Sequence, residues 1–188
     1  MKKKDDSKIT KILDSAVTII LTEGVAALST TKIAKMMGIA QSNIYLYFKN
    51  KDDLLKNIYH REFERIRQIS DLEKLNDRTI LVNERIDYYI HSVFDYAIAY
   101  PNSLTVIEQI KSLNILEDDI YSGNEQVIQL LNEGIQKGYL KDVPINLHMV
   151  TVFNILHRHA LNINQGLYSE QKYSYQIISK MILDSICQ

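Results

Sequence analysis

The chain has 188 residues, 46% of them apolar, and a formal net charge of −1. This is enough apolar matter for a true core in one large or two modest domains, while a single cysteine, Cys187, excludes a disulfide framework and a cysteine-built zinc site. Only two prolines and six glycines interrupt a sequence rich in Leu, Ile, Lys and Glu, which predicts an all-α protein.

The charge is unevenly placed. Residues 1–68 carry 13 Lys/Arg against 8 Asp/Glu, and residues 69–188 carry 9 against 15. A basic first third on an acidic remainder fits one end facing a polyanion, although uneven surface charge alone gives the same count. Lys2-Lys3-Lys4 runs into Asp5-Asp6 rather than an apolar stretch, so no signal peptide is expected. No apolar run is long enough to cross a bilayer, so no membrane partner is expected. These features predict a cytoplasmic protein.

The first helix starts near Ser7, a plausible cap, and aligns Ile9, Ile12, Leu13, Ala16, Ile19 and Ile20 before Gly24 stops it. The stretch Ser29 to Leu54 then reads as two short helices around a tight turn, followed by the start of another. Ser29 is the expected N-cap of the first of these. Lys32 stands where a capping box would place Glu, so the reciprocal bond is absent. Ile33, Ala34 and Met37 share a buried face at helical spacing. Gly38 can take the left-handed conformation that ends the helix, Ile39 re-enters the core, and Ile44 anchors the next helix. Gln41, Ser42, Asn43, Tyr45 and Leu46 are left on the outward side, a composition suited to base edges in a major groove. The pattern is a helix-turn-helix.

A long helix opens at Lys51, with Asp52 and Asp53 in its first turn, and continues through Leu55, Ile58, Phe63 and Ile66. The pattern breaks at about residues 71–77. Further helices are expected at Thr79–Tyr100, Ser103–Leu113, Asp118–Lys137, Asn146–Asn164 and Ser169–Ile186. Pro101 forbids continuation from Tyr100, Pro144 bars a helix from crossing that point, and Gly138 and Gly166 are helix stops. The organisation expected is a three-helix DNA-binding head at 1–50, a connecting helix at 51–70, and a helical ligand-binding and dimerisation domain at 71–188.

Ile33-Ala34, Gly38-Ile39, Ile44-Tyr45, Tyr47-Phe48-Lys49-Asn50-Lys51 and Leu54-Leu55 together resemble the N-terminal signature of the tetracycline-repressor (TetR) family of bacterial regulators. The resemblance runs from about Lys8 to about Tyr59. Ala40 departs from the Ser or Thr that often opens the family's recognition helix, and Leu46 departs from a position often polar or aromatic. The resemblance implies binding to a double-stranded DNA operator by the stretch Ser29–Lys51. Within it, Thr30, Tyr45, Tyr47 and Lys51 suit phosphate contacts. Gln41, Ser42 and Asn43, with Thr31 from the preceding helix, suit base edges. Ser29, the cap, and Leu46 complete the candidate interface.

The last two predicted helices are apolar on more than one side, and such helices must be buried on more than one side. In a domain this small a second subunit is the natural cover, with a monomeric core as the alternative. The family dimerises through its last two main helices, which nominates Phe153, Leu156, Ile178, Met181 and Ile182 for a homodimer interface. The middle helices concentrate aromatics, among them Tyr89, Phe94, Tyr96 and Tyr121, with Phe153 further on. Several phenols inside one helical domain fit either a cavity for a small molecule or amphipathic filling with hydroxyls reaching solvent. The family's small inducers favour the cavity, and a small-molecule effector is therefore expected.

Catalytic and metal readings find little support. His157 and His159, two apart on a helix, cannot share an ion; no His pair has the i, i+4 spacing of a helical zinc site. His91 lies one turn from Asp87 and Asp95, which reads as a surface ion pair. Gly134 to Gly138 lacks the spacing of a phosphate loop, and Cys187 has no basic neighbour to activate it. No cofactor or metal and no enzymatic activity are expected. Three readings compete: a ligand-released dimeric repressor, a constitutive or protein-controlled DNA-binding regulator, and a helical enzyme or interaction module whose helix-turn-helix is incidental packing.

Overall fold

The structure is a computed structural model that describes residues 6–69, 72–116 and 124–188. Its described residues form ten α-helices and one short 3-10 turn: α1 (Asp6–Glu23), the turn Val25–Ala27, α2 (Thr30–Met37), α3 (Ser42–Tyr45), α4 (Lys51–Ile69), α5 (Leu72–Asn76), α6 (Val82–Ala99), α7 (Pro101–Lys111), α8 (Glu125–Gln136), α9 (Ile145–Asn164) and α10 (Tyr175–Ile186). Among the described residues the sole β-type pairing is an isolated antiparallel bridge between Leu140 and Cys187.

Two compact units are present. One takes in the chain through Glu64 together with a stretch that begins at Thr105; the other runs from Arg65 to Leu104 and resumes towards the C-terminus.

In the first unit, Ile12, Leu13, Ala16, Ile19 and Ile20 bury the predicted face of α1, and α2 packs across it through Ile33 and Ala34. Leu54, Leu55 and Ile58 of α4 are wholly buried as well. Asn50 Oδ1 accepts from the Asp53 N–H at 2.8 Å, and Asp53 Oδ2 accepts from the Lys49 N–H at 2.7 Å, so the entry to α4 is capped from both sides. Arg61 of α4 reaches Asp14 of α1 at 2.7 Å.

In the second unit α6 is central and packs against α5, α8, α9 and α10. Ile86, Ile90, Tyr96 and Ala97 are its buried residues of least exposure. A Cβ placed on Gly134 of α8 would lie 2.8 Å from Leu140 Cδ1 and 2.9 Å from Ile86 Cδ1, so only glycine permits this approach of α8 to α6. Arg85 of α6 is buried, with a hydrogen bond at each of its three guanidinium nitrogens. It donates to the carbonyls of Leu75 at 3.1 Å and Ile80 at 3.2 Å, and to Glu133 Oε1 at 2.7 Å. The end of the chain is pinned as well: Lys141 N–H donates to the Ile186 carbonyl at 2.9 Å, and Lys141 Nζ to that of Ser185 at 2.7 Å.

Several expected boundaries move. The break near residues 71–77 contains the short helix α5. The next helix starts at Val82 rather than Thr79, because Asp77 Oδ1 takes the Thr79 N–H at 2.9 Å and its hydroxyl at 2.6 Å and holds a turn there. Pro101 opens α7 instead of preceding it; at the first helical position its missing N–H costs nothing. The final helix starts at Tyr175 rather than Ser169, since Ser169 to Tyr173 closes into a turn. The expected start at Asp118 lies outside the described residues.

Candidate nucleic-acid interface

Ser29 has extended backbone, and its Oγ accepts from the Lys32 N–H at 3.2 Å, the cap the sequence predicts for α2. At the other end of α2, Gly38 takes φ +66°, its N–H closing on the Lys35 carbonyl, and Ile39 N–H returns to Ala34 at 3.0 Å. The left-handed residue turns the chain sharply. Ile44, without exposed surface, then seats the single-turn helix α3 on the core, and Phe48 is buried after it.

With Ile44 turned inward, Gln41, Ser42, Asn43, Tyr45 and Leu46 are exposed, as is Thr31 on α2. Leu46, which follows α3, is 68% exposed, a large apolar side chain offered to solvent. Thr30 is buried and Tyr47 half-buried. The hydroxyls of Thr30 and Tyr45, both nominated for phosphate, are engaged with each other at 3.2 Å, and Gln41 Nε2 donates to Thr30 Oγ1 at 2.8 Å. Sequence spacing gives no sign of this three-residue chain, which joins positions 15 and 11 residues apart. Lys51 is half-buried, with Nζ 3.4 Å from the Val25 carbonyl. Lys32 pairs with Glu23 at 2.6 Å. The face therefore offers amide and hydroxyl groups, one apolar side chain and flanking lysines, the chemistry that contacts base edges and phosphates.

The residues nominated for a ligand sit differently from the expectation of one shared cavity. Tyr89, Phe94 and Tyr96 are all buried along α6. Burial alone pushes the Tyr89 phenol pKa up. Phe94 meets His159 of α9 and Tyr175 of α10, with ring centroids 5.7 and 5.2 Å away, whereas the Tyr96 hydroxyl bonds to Ser103 of α7. Phe153 is half-buried with its ring 5.8 Å from that of His157, and Tyr121 lies outside the described residues. A polar cleft of about 610 Å³ opens elsewhere in the second unit, lined by Asn76, Arg78, Arg85, Gln129, Glu133 and Lys137 among others, and Tyr89, Phe94, Tyr96 and Phe153 do not border it.

The residues nominated for a dimer face are divided between the protomer's interior and its surface. Leu156, Ile178 and Ile182 belong to the protomer's own core, since α9 and α10 turn these side chains inward. Of the five, Met181 is exposed and Phe153 half-buried. The apolar residues that α9 and α10 leave in solvent are Leu147 and Val150 with Ile177 and Met181, each about half exposed. His159, discounted as a ligand, is buried, with Nδ1 3.1 Å from the Tyr168 hydroxyl; burial lowers its pKa.

No helix among the described residues is long and apolar enough to cross a membrane. The family profile described as bacterial regulatory proteins, tetR family, matches residues 12–58, the segment that builds this face. A crystal structure of a transcription regulator from Lactobacillus plantarum is 45% identical, covers 96% of this chain and 99% of that one, and superposes with a TM-score of 0.88. A TetR family transcription regulator from Marinobacter aquaeolei shares the fold over the full length of both chains at 22% identity, with a TM-score of 0.81. Among curated proteins, the fatty acid metabolism regulator protein of Bacillus subtilis is 26% identical over 97% of this chain and 95% of its own. A tetR profile on the helix-turn-helix, full-length likeness to transcription regulators and an all-helical second unit lead to one conclusion: this chain belongs to the TetR family of bacterial transcription regulators.

Proposed function

We propose that the protein acts as a dimeric repressor that binds a palindromic operator through the α2–α3 face and is released from it by a small molecule. The observation that carries this reading is the exposed set Gln41, Ser42, Asn43 and Leu46 on a short helix seated by Ile44. Two such heads in a two-fold dimer read half-sites whose centres lie ~34–36 Å apart, or a multiple of that. The half-exposed apolar residues Leu147, Val150, Ile177 and Met181 favour a second copy as the cover for α9 and α10. The effector acts by binding the DNA-incompetent state more tightly; a coupling of ~1–3 kcal/mol lowers operator affinity about 5- to 150-fold.

For the effector class, the full-length likeness to a fatty acid metabolism regulator supports a fatty acid or a derivative of one. The competing reading is a regulator without a small-molecule effector. It is favoured by the packing of α6, where Phe94 stacks within the core and the Tyr96 hydroxyl is already bonded to Ser103. The deciding experiment selects an operator from genomic fragments with the full chain, then titrates the complex with a long-chain fatty acid. Release at micromolar concentration supports the effector reading. Retention of the DNA against this probe and against a cell extract supports the regulator without an effector. Failure to select any DNA removes both.

A further inference from the structure

Gln41, at the entrance to α3, is an exposed residue whose side-chain amide is hydrogen-bonded within the protein. Its Nε2 donates to Thr30 Oγ1 at 2.8 Å, and Thr30 is itself buried at the first position of α2. Thr30 Oγ1 also lies 3.2 Å from the Tyr45 hydroxyl, so three side chains form one hydrogen-bonded chain across the two helices of the motif. An exposed glutamine ordinarily loses side-chain entropy when it docks on a base, and a neighbour that fixes it beforehand lowers that cost.

The direction of the chain matters. A threonine hydroxyl has one proton and two lone pairs. When that proton is directed at Tyr45, Thr30 must accept from Gln41, which turns Nε2 inward and leaves one N–H and Oε1 facing out. One donor beside one acceptor complements adenine, which shows N7 as acceptor and N6–H₂ as donor in the major groove. The opposite turn of the amide would bring Oε1 to Thr30 and offer only N–H donors outward, which suits the two acceptors N7 and O6 of guanine.

We infer that Thr30 and Tyr45 are positioning residues that hold the Gln41 amide in the adenine-reading orientation, so base identity at one position per half-site is set by a hydroxyl pair that touches no base. This rests on the proposed reading of the α2–α3 face as the operator-binding surface. It differs from phosphate anchoring by the same hydroxyls, because a phosphate contact strengthens binding to every sequence alike.

The test uses the full-length protein and an operator selected from random DNA. Each position of one half-site is then replaced by all four bases, and affinity is measured for the wild type, Gln41→Ala, Thr30→Val, Thr30→Ser and Tyr45→Phe. The wild type is expected to prefer adenine at one position by about 5- to 150-fold. Gln41→Ala and Thr30→Val flatten that preference, Thr30→Ser retains it, and Tyr45→Phe admits guanine there because the freed Thr30 proton can now meet Oε1. Thermal unfolding of Thr30→Val, which is nearly isosteric, verifies that the head is folded; should it be unfolded, Tyr45→Phe with Thr30→Ser decides the matter. Equal loss of affinity for all four bases in Thr30→Val and Tyr45→Phe, with adenine preference intact, overturns the inference and leaves the regulator reading standing. A wild type that selects no DNA motif overturns both.

Discussion

Gln109 Oε1 accepts a hydrogen bond from the backbone N–H of Val25 at 2.9 Å, linking residues 84 apart in sequence. Val25 begins the 3-10 turn between α1 and α2, and Gly24 before it supplies no side-chain cap. The first N–H groups of a helical turn have no partner of their own, so a side chain from α7 fills that role. Within the same unit Lys51 Nζ approaches the Val25 carbonyl at 3.4 Å, and the turn that leads into the helix-turn-helix is thus held at both polar groups of one residue.

Gln109→Ala is expected to strand the Val25 N–H and cost ~1–3 kcal/mol. For a chain of this length that corresponds to about 2–12 °C in Tm. Gln109→Glu keeps the acceptor and restores most of the loss. Amide hydrogen exchange at Val25 is the direct readout, and an exchange rate unchanged in Gln109→Ala would mean the bond does not protect the turn in solution.

Gly134→Ala reverses an ordinary expectation. In an open helix the change stabilises by ~1 kcal/mol, but here the new methyl meets Leu140 and Ile86 side chains at 2.8 and 2.9 Å, both fully buried. Overpacking of this kind costs ~1–3 kcal/mol. The variant is therefore expected to unfold at lower urea than the wild type, and a rise in the urea midpoint would show that the α6–α8 crossing can relax.

Glu133 sets an acid dependence. Hydrogen bonds from Arg85 first, then Lys137, depress its carboxyl pKa to about 2 from an ordinary value of 4.5. A carboxylate with a depressed folded-state pKa stabilises the fold above its unfolded pKa, and the contribution is lost as pH falls through the folded value. Wild-type stability is thus expected to hold down to ~pH 4.5 and to decline towards pH 2. Glu133→Gln removes the countercharge of buried Arg85, a loss on the order of 3 kcal/mol at neutral pH, and its decline over this window is shallower. Parallel acid-unfolding curves for the two proteins would contradict the assignment.

Lys51→Ala is expected to weaken binding to specific and nonspecific DNA alike. It lowers the slope of log K against log salt by about 1, the signature of one phosphate contact removed. Because Nζ lies near the Val25 carbonyl in the free protein, a stability control accompanies the titration. A salt slope equal to the wild type's would take Lys51 out of the phosphate contacts.

Ile177→Glu with Met181→Glu places two charges on the exposed face of α10, where neither side chain serves the protomer's core. Sedimentation should find a folded monomer at micromolar concentration. Ile178→Glu with Ile182→Glu places the same charges one residue along, in the core, and should unfold the chain. A doubly substituted Ile177/Met181 variant that still sediments as a dimer would locate the interface elsewhere.

Much of the head is legible from the sequence. Ser29 caps α2, Gly38 ends it with a positive φ, and Ile33, Ala34 and Ile44 are buried as their spacing predicts. Each depends on a residue and its neighbours within one or two turns, and backbone preference and helical periodicity act over that range. The inward or outward face of α10 is a different matter. Ile177 and Ile178 are adjacent and equally apolar, separated by about 100° around the helix; composition ranks them alike, and only the packing of α10 on α6 and α9 turns Ile178 inward and leaves Ile177 in solvent. The same limit hid the Gln41–Thr30–Tyr45 chain and the Gln109 bond to Val25. A hydroxyl or amide can bond in many directions, and which partner it meets is decided where separate helices bring backbone and side chains within about 3 Å. The chain's local chemistry determined where the helices of the head begin and end; packing alone decided which face of α10 is buried and which polar groups are engaged inside the protein or left in solvent.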